Sequence, residues 1–244
     1  MATRAFISDI HGNLEALEAV LADAARSGAA EILCLGDFVG YGASPNECIE
    51  RLRPIVAAAV AGNHDVAVCG RIRIGSFSSN AAQAARWTET ALTPQNLAYL
   101  ESLPMRVSHA GALLVHSSPS DPRAWHYVQG VDEARAEFDT FMESLCLVGH
   151  LHRPGAYRLD TPTGQVGYSR EPETPLDPQG RFLVVVPSVG QPRDGDPRAG
   201  YLLWDDGRGW VRQVRVDYDF AAARQRILDA GLPRFLGDRL QGGE

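Results

Sequence analysis

Residues 4–21 read RAFISDIHGNLEALEAVL, a short apolar run followed by an amphipathic one. The apolar run ends at Asp9, and Leu14, Leu17 and Leu21 then follow at helical spacing. This pattern predicts a strand over 4–8, a loop, and a helix over 13–26. A polar pair, Asp9 and His11, lies in the loop between the strand and the helix.

The same order of elements recurs twice along the chain. Residues 31–37 (EILCLGD) form an apolar run that ends in Gly-Asp, and Pro45 then opens a helical stretch to about Arg53. Residues 55–65 (IVAAAVAGNHD) form a third apolar run that ends in a polar cluster. Three strands separated by helices at short intervals predict an α/β fold with a parallel sheet.

The remainder of the chain predicts further helices and strands. They are a helix over 79–103 with a second start at Pro94, a hairpin over 105–115, a helix near 132–143, strands near 145–148, 182–186, 201–204 and 210–216, and a closing helix over 220–230. Residues 160–181 are rich in proline and glycine, and we expect a lid-like loop there. Because no low-complexity linker interrupts the sequence, we expect one domain over 1–244.

Composition excludes several classes of function. The 244 residues are 45% hydrophobic and 22% charged, and the formal net charge is −7. This charge makes a nucleic acid or an anionic membrane an unfavourable partner, because such binding depends on basic surface. Asp9 interrupts the N-terminus before a secretory signal could form, so we expect a cytoplasmic protein. The four cysteines show no CxxC pair and predict neither a zinc ribbon nor a disulfide framework.

Polar clusters follow the predicted strands, where α/β sheets present ligand-binding residues. Their members are Asp9, His11, Asp37, Asn63, His64, Asp65, His116, His150 and His152. Each motif alone has an ordinary explanation, such as a turn or a surface histidine. Together they supply carboxylates, an amide and imidazoles, a ligand set that suits divalent manganese, iron or zinc.

These clusters resemble the signature of the calcineurin-like metallophosphoesterase superfamily. The elements D-x-H, G-D, G-N-H-[DE], H and G-H-x-H occur in that order between Asp9 and His152. The resemblance implies a four-layer α/β/β/α sandwich, in which two mixed sheets are flanked by helices. It also implies two divalent metal ions, Mn²⁺, Fe²⁺/Fe³⁺ or Zn²⁺, as cofactors.

The resemblance further implies a role for each polar residue. One metal would be held by Asp9, His11 and His152, and a second by Asn63, His116 and His150. Asp37 would bridge both ions, and His64 would remain free to protonate the leaving group as a general acid. Two such ions make a locally positive site that explains how an acidic protein could hold a phosphate.

Asp65 has two alternative roles. Its carboxylate could orient the His64 imidazole and so belong to the catalytic group, or it could cap the N-terminus of a helix. The sequence alone does not choose between these roles.

Two arginines are candidate substrate contacts. Residues 190–198 (GQPRDGDPR) look like a segment of bacterial diadenosine-tetraphosphatase-like or YfcE-like members, and Arg193 there could bind phosphoryl oxygens. The alternative is that Arg193 pairs with Asp194 or Asp196. Arg123 could line the substrate side together with neighbouring aromatics, or its loop could simply be packed by those aromatics.

The resemblance favours an enzyme that hydrolyses a small-molecule phosphodiester or phosphomonoester, with a nucleotide-like substrate as one option. A protein serine/threonine phosphatase is less favoured, because the second motif lacks the arginine of that class and Asp65 replaces its glutamate. A catalytically silent binding scaffold is also less favoured, because every ligand position is filled. The oligomeric state is left open.

Overall fold

The computed structural model describes residues 2–244, and in it two mixed six-stranded sheets pack face to face. The strands are β1 (Thr3–Ile7), β2 (Glu31–Cys34), β3 (Val56–Ala59), β4 (Arg106–His109), β5 (Ala112–Val115), β6 (Leu145–Val148), β7 (Gly155–Asp160), β8 (Val166–Ser169), β9 (Glu173–Pro175), β10 (Gly180–Val185), β11 (Ala199–Asp205) and β12 (Trp210–Val216). The helices are α1 (Leu14–Arg26), α2 (Pro45–Leu52), α3 (Asn63–Val68), α4 (Ser79–Ala91), α5 (Pro94–Ser102), α6 (Val131–Glu137), α7 (Phe220–Asp229) and α8 (Arg234–Asp238).

The first sheet has the order β3-β2-β1-β11-β12-β9. Its strands β1, β2 and β3 are parallel, as the sequence predicts, and the late strands β11 and β12 continue the sheet in antiparallel pairing. Each of the first two strands is followed by a helix that packs on the outer face. Asn13 caps α1 by accepting the Ala16 amide at 3.1 Å, which fixes the loop after β1.

The second sheet has the order β4-β5-β6-β10-β7-β8. Strands β5, β6 and β10 are parallel, whereas β4, β7 and β8 pair antiparallel. An isolated parallel bridge between Ser8 and Ser188 joins the chain after β1 to the chain after β10. The carboxyl ends of the parallel strands of both sheets therefore meet at one edge of the molecule.

Alternating strand residues fill three apolar layers, which confirms the α/β/β/α sandwich. Phe6, Leu114 and Val184 lie between the sheets, with no exposure above 1%. Ile7 turns outward and packs against α1 and α2, while Val115 turns outward toward α6. Because one strand supplies both layers, each sheet is buried on both faces.

Two expectations about secondary structure are corrected. Residues 160–181, expected to be a loop, contain β8, which pairs with β7, and β9, which pairs with β12 of the other sheet. Their prolines and glycines lie mainly at strand ends and turns. The helix expected near 132–143 is shorter, because α6 ends at Glu137 and Phe138 and Phe141 pack into the core. No helix within residues 2–244 has the length and apolarity needed to cross a membrane.

Candidate metal centre

The candidate ligands converge on the edge where the parallel strands end. Asp9, Asp37 and Asn63 follow β1, β2 and β3 of the first sheet, and His116 and His150 follow β5 and β6 of the second. His11 and His152 complete the group. All seven side chains are at least 92% buried. Neither sheet supplies the whole site, so the centre depends on how the two sheets pack.

Five of these residues have left-handed backbone conformations that are uncommon for residues with a side chain. Their φ angles are 55° at Asp9, 52° at His11, 54° at Asp37, 66° at His150 and 58° at His152. Backbone hydrogen bonds between the loops hold them in place. The Asp9 amide donates to the Gly36 carbonyl at 3.0 Å, and the His11 amide donates to the Asp37 carbonyl at 2.9 Å.

Asp9, His11 and His152 form a first group of ligand atoms. The His152 Nε2 lies 3.1 Å from the Asp9 Oδ1 and 3.1 Å from the His11 Nε2. The His11 Nε2 lies 3.8 Å from the same Asp9 oxygen. All three atoms fall within a distance that one metal ion could span.

Asp37, His116 and His150 form a second group with the same property. The His116 Nε2 lies 3.2 Å from the Asp37 Oδ2, and the same oxygen lies 3.7 Å from the His11 Nε2. Asp37 therefore stands between the two groups, where a bridging carboxylate would be needed.

Backbone carbonyls determine which nitrogen of each imidazole faces the centre. The Nδ1 atoms of His11, His116 and His152 donate to the carbonyls of Val39, Leu35 and Gln191, at 3.1, 2.7 and 2.5 Å. In the neutral imidazoles, the Nε2 atoms therefore carry the lone pairs that face the centre. His150 has the opposite arrangement, because its Nε2 donates to the Trp125 carbonyl at 3.0 Å and leaves Nδ1 unprotonated. Such carbonyl partners are typical of metal-bound histidines.

Two of the polar atoms at the centre have no hydrogen-bond partner among the described residues. They are the Asn63 Oδ1 and the His64 Nδ1, both buried. In addition, the bare Nε2 atoms of His11 and His152 face each other. Buried lone pairs without a donor are unfavourable, and a cation between them would remove the conflict. The residues present therefore fit a metal centre.

His64 lies beside the first group. Its amide donates to the Asp37 Oδ1 at 2.9 Å, and its ring lies 4.9 Å from the His11 ring between centroids. Tyr41 and Phe77 pack against the same imidazole at 4.5 and 4.8 Å. The His64 imidazole also comes within ligand distance of His11 and Asp37, so the structure brings it to the centre as the sequence predicts.

Asp65 does not orient His64, and this expectation is corrected. Its Oδ2 accepts the amides of Asp37 and Gly62 at 2.8 and 3.0 Å, and its Oδ1 accepts the amide of Val39 at 3.3 Å. The His64 Nδ1 has no such partner. Asp65 therefore caps the first turn of α3 and fixes the loop that carries Asp37, which is the alternative that the sequence left open.

Burial and mutual interactions shift the pKa values of the centre. Burial opposes ionisation of Asp37, but His116 and His64 hold its pKa well below the ordinary value. Burial likewise opposes protonation of His116, but the two carboxylates raise its pKa to about 9. Burial lowers the pKa of His150 to about 3 and that of His64 to about 4.

The two arginines occupy different surroundings. Arg193 lies beside the centre, where its Nη2 donates to the Gln191 Oε1 at 2.8 Å and to the Tyr41 hydroxyl at 3.3 Å. Its Nε is buried without a partner. The pairing alternative is wrong, because Asp194 pairs with Arg215 and Asp196 with Arg198.

Arg123 is exposed at the edge of a cavity that Trp125 also lines. It does not reach the two ligand groups, and no contact of its guanidinium group with them is present.

Sequence reasoning missed Tyr41 and Gln191, whereas Trp125 and Tyr127 are the aromatics near Arg123 that it offered as a lining of the substrate side. Tyr41 packs on His11 at 4.6 Å between ring centroids, and Tyr127 stacks on His150 at 4.3 Å with an interplanar angle of 10°. Gln191 and Trp125 contribute backbone carbonyls, which no side-chain motif reveals. The Gly-Tyr-Gly run at 40–42 was the one available signal for Tyr41. His109 lies outside the centre, 3.4 Å from a Glu31 carboxylate oxygen.

Comparison with known proteins identifies the family. A model of the calcineurin-like phosphoesterase superfamily domain matches residues 3–206. The chain belongs to the calcineurin-like phosphoesterase superfamily. The resemblance drawn from the order of the motifs is therefore confirmed.

Relatives of this superfamily cover nearly the whole chain. The uncharacterized protein MJ0912 of Methanocaldococcus jannaschii is 38% identical over 242 residues, which are 97% of this chain and 96% of that protein. The crystal structure of a metallophosphoesterase from Sphaerobacter thermophilus is 40% identical, has a TM-score of 0.87, and is matched over 99% of this chain and 100% of that one. The hypothetical protein PH1004 from Pyrococcus horikoshii OT3 shares the fold at 21% identity and a TM-score of 0.80, over 100% of this chain and 99% of that one.

Proposed function

We propose that this protein is a dinuclear metal-dependent phosphoesterase that hydrolyses a small-molecule phosphodiester or phosphomonoester. The observation that carries the proposal is the pair of buried ligand groups that share the Asp37 carboxylate between them. The relationship to a metallophosphoesterase at 40% identity supports the same reaction class.

The two ligand groups support a division of the residues between the ions, to which we add Asn63 because its Oδ1 is buried without a partner among the described residues. One ion would be held by Asp9, His11 and His152, the other by Asn63, His116 and His150, with Asp37 shared. Imidazole, carboxylate and amide ligands suit manganese, iron or zinc. When bound, two such ions would activate water for attack and neutralise negative charge on the phosphoryl group.

His64 is proposed to donate a proton to the leaving oxygen. Its amide bond to Asp37 fixes the residue beside the metal ligands, and the packing of Tyr41 and Phe77 restricts its ring. Among the described residues the His64 imidazole has no hydrogen-bond partner, and a ring without one is available to exchange a proton with a substrate. A positioned acid of this kind contributes most when the leaving group is a poor one.

Arg193 is proposed to contact the phosphate ester. It holds a guanidinium group beside Tyr41, which itself packs against His11 and His64. Its Nε lacks a partner, and its planar group can donate two parallel hydrogen bonds to phosphoryl oxygens. The Gln191 side chain, which accepts from the same guanidinium, orients it.

The test combines metal analysis with two chromogenic esters. The purified protein would be loaded with Mn²⁺, its metal content measured, and its turnover of bis(p-nitrophenyl) phosphate and p-nitrophenyl phosphate compared. We expect about two ions per chain and hydrolysis of at least one ester. The rate ratio then chooses between diester and monoester. No bound metal and no turnover of either ester would refute the proposal and favour a binding scaffold.

A further inference from the structure

A cavity of about 400 Å³ lies next to the metal centre. Its walls come from α3, from the end of α5 and the residues after it, and from the loop that follows β5. Most of the lining is apolar, and Val66, Leu100, Leu103 and Met105 are examples. The volume is sufficient for an aromatic ring with substituents.

Trp125 and α3 connect this cavity to the candidate metal ligands. The Trp125 carbonyl accepts the Nε2 proton of His150, and the Trp125 ring lies 6.3 Å from the His116 ring between centroids. Helix α3 begins at the ligand Asn63 and contributes Val66 and Cys69 to the cavity wall. The cavity therefore borders the second ligand group through Trp125 and the first turns of α3, while no ligand side chain lines it.

Two polar groups at the cavity, those of Arg123 and Trp125, are donors without an acceptor among the described residues. The Arg123 guanidinium makes no hydrogen bond or ion pair with any described residue, although its backbone amide donates to Asp121. The Trp125 Nε1 is buried without a partner, and Trp125 has a left-handed φ of 58°. Arg71 donates one hydrogen bond to the Glu101 carbonyl at 3.1 Å. No carboxylate occurs among the described residues that line the cavity.

His64 and Trp125 contact different rings of the centre. The rings packed against His64 are His11, Tyr41 and Phe77, whereas Trp125 packs beside His116. If His64 protonates the leaving oxygen, the leaving group lies on the side of Tyr41. The cavity is then available to a second substituent on phosphorus, which a diester has and a monoester lacks.

We infer that this cavity holds the retained ester group of a phosphodiester, a flat apolar group whose anionic substituent pairs with Arg123. The inference rests on the proposed function and makes it more specific. Apolar walls would bind an aryl or nucleobase-sized group, and the free guanidinium would bind a carboxylate or phosphate on it.

The experiment uses three diesters that share the p-nitrophenolate leaving group and differ in the retained group, which is methyl, phenyl or 4-carboxyphenyl. Because the leaving group is constant, differences in kcat/KM report the retained group. We expect the phenyl diester to exceed the methyl diester by about tenfold or more, and the carboxyphenyl diester to exceed the phenyl one by about tenfold. Equal values for the three diesters would overturn the inference.

Variants test whether the preference for a particular retained group arises in the cavity. Cys69→Phe and Leu103→Trp fill the cavity from two different elements, and either should reduce the phenyl-to-methyl ratio to about one. Arg123→Gln should remove only the preference for the carboxylate. Arg86→Gln, at an exposed position on α4, is the matched control and should keep both ratios. Melting curves show whether Cys69→Phe and Leu103→Trp fold. If one of them does not, the ratio measured with the other tests the inference.

A binding measurement separates this inference from the proposed function. Calorimetric titration of the manganese-loaded protein with methylphosphonate, phenylphosphonate and 4-carboxyphenylphosphonate needs no turnover. Tightest binding of the carboxyphenyl compound, lost in Arg123→Gln, supports the cavity site even if no ester is hydrolysed. Hydrolysis of all three diesters at one rate, with equal phosphonate affinities, refutes the cavity site and leaves the phosphoesterase proposal intact.

Discussion

At the scale of single residues, the contact between His11 and His152 is the most informative feature. Both Nδ1 protons are committed to backbone carbonyls, so the two Nε2 atoms, 3.1 Å apart, have no proton to share. Two neighbouring lone pairs repel each other unless a cation lies between them. The protein alone thus contains an unfavourable contact that metal binding would convert into coordination.

The shared position of Asp37 makes a prediction about metal content. Asp37→Asn removes the charge that both ions would share, so occupancy of both should fall together. Elemental analysis after manganese loading measures the number of ions per chain. Asp139→Asn, at a side chain that is 76% exposed, is the control and should keep the content of the unmodified protein. Loss of a single ion from the Asp37 variant would contradict the bridging role.

The role of His64 predicts a dependence on the leaving group. His64→Ala should lower kcat for an alkyl leaving group by about 10²–10⁴-fold, and much less for p-nitrophenolate, which leaves without a proton. Metal content should stay the same. His109→Ala, which lies outside the centre, serves as the control. An equal loss for both leaving groups would show that His64 does not act as the acid.

The pKa of His116 predicts how metal affinity depends on pH. In the metal-free protein the neighbouring carboxylates raise this pKa to about 9, so the imidazole is protonated at neutral pH. A metal ion must displace that proton. Apparent affinity should therefore rise with pH by about tenfold per unit and level off above about pH 9. Titration of the metal-free protein with Zn²⁺ at several pH values measures this apparent affinity. An affinity that does not change with pH would refute the competition between the metal ion and the His116 proton.

At the scale of elements, the loop after β6 passes so close to the loop after β1 that Gly149 has no room for a side chain. A Cβ added to Gly149, directly after β6, would overlap the Ser8 Oγ and lie 2.8 Å from the Asp9 Oδ2. Gly167 in β8 has open space at the same position. The loop after β6 therefore depends on glycine for its approach to the ligand Asp9, whereas β8 does not.

This difference predicts the outcome of two alanine substitutions. Gly149→Ala should displace Asp9, lower metal content, and reduce the free energy of unfolding by about 1–3 kcal/mol. Gly167→Ala should change that free energy by no more than about 0.5 kcal/mol. Denaturant unfolding and metal analysis measure both effects. Full metal content in Gly149→Ala would show that the loop can relax without moving Asp9.

Local patterns predicted most of the elements, because each early strand ends where its apolar run meets a polar cluster. They did not predict β8 and β9, since these short strands form only by pairing with β7 and β12, which are distant or belong to the other sheet. Nor could they choose between the roles of Asp65. That choice depended on the amides of Asp37 and Val39, which reach Asp65 only in the folded chain.

At the scale of the whole molecule, the metal centre joins the two sheets. Metal binding should therefore stabilise the entire fold, and we expect one unfolding transition. At a free metal concentration of about 100 times Kd, one site adds about 2.7 kcal/mol, which corresponds to an increase in Tm of about 5–10 °C. Calorimetry with manganese and then with a chelator measures this change in Tm. Asp37→Asn, which should not hold the ions, is the control. An unchanged Tm, or two transitions, would contradict it.

The sequence also identified the candidate site better than its surroundings. The order of the motifs predicted that nine residues from Asp9 to His152 lie together, and they do so because strand ends of both sheets meet at one edge of the molecule. The pairing of Arg193 with Gln191 and Tyr41 and the cavity beside Trp125 depend on contacts between distant loops. The spacing of apolar residues along the sequence does not predict contacts between distant loops.

The left-handed backbone at five candidate ligand residues also bears on protein engineering. A designer who copied only the side chains of this centre onto regular helices or strands of another scaffold would point them in the wrong directions. The transferable unit is the loop with its hydrogen-bonded neighbours, from two separate sheets at once. Grafting this chemistry therefore requires a host whose strand ends already face one another in the same way.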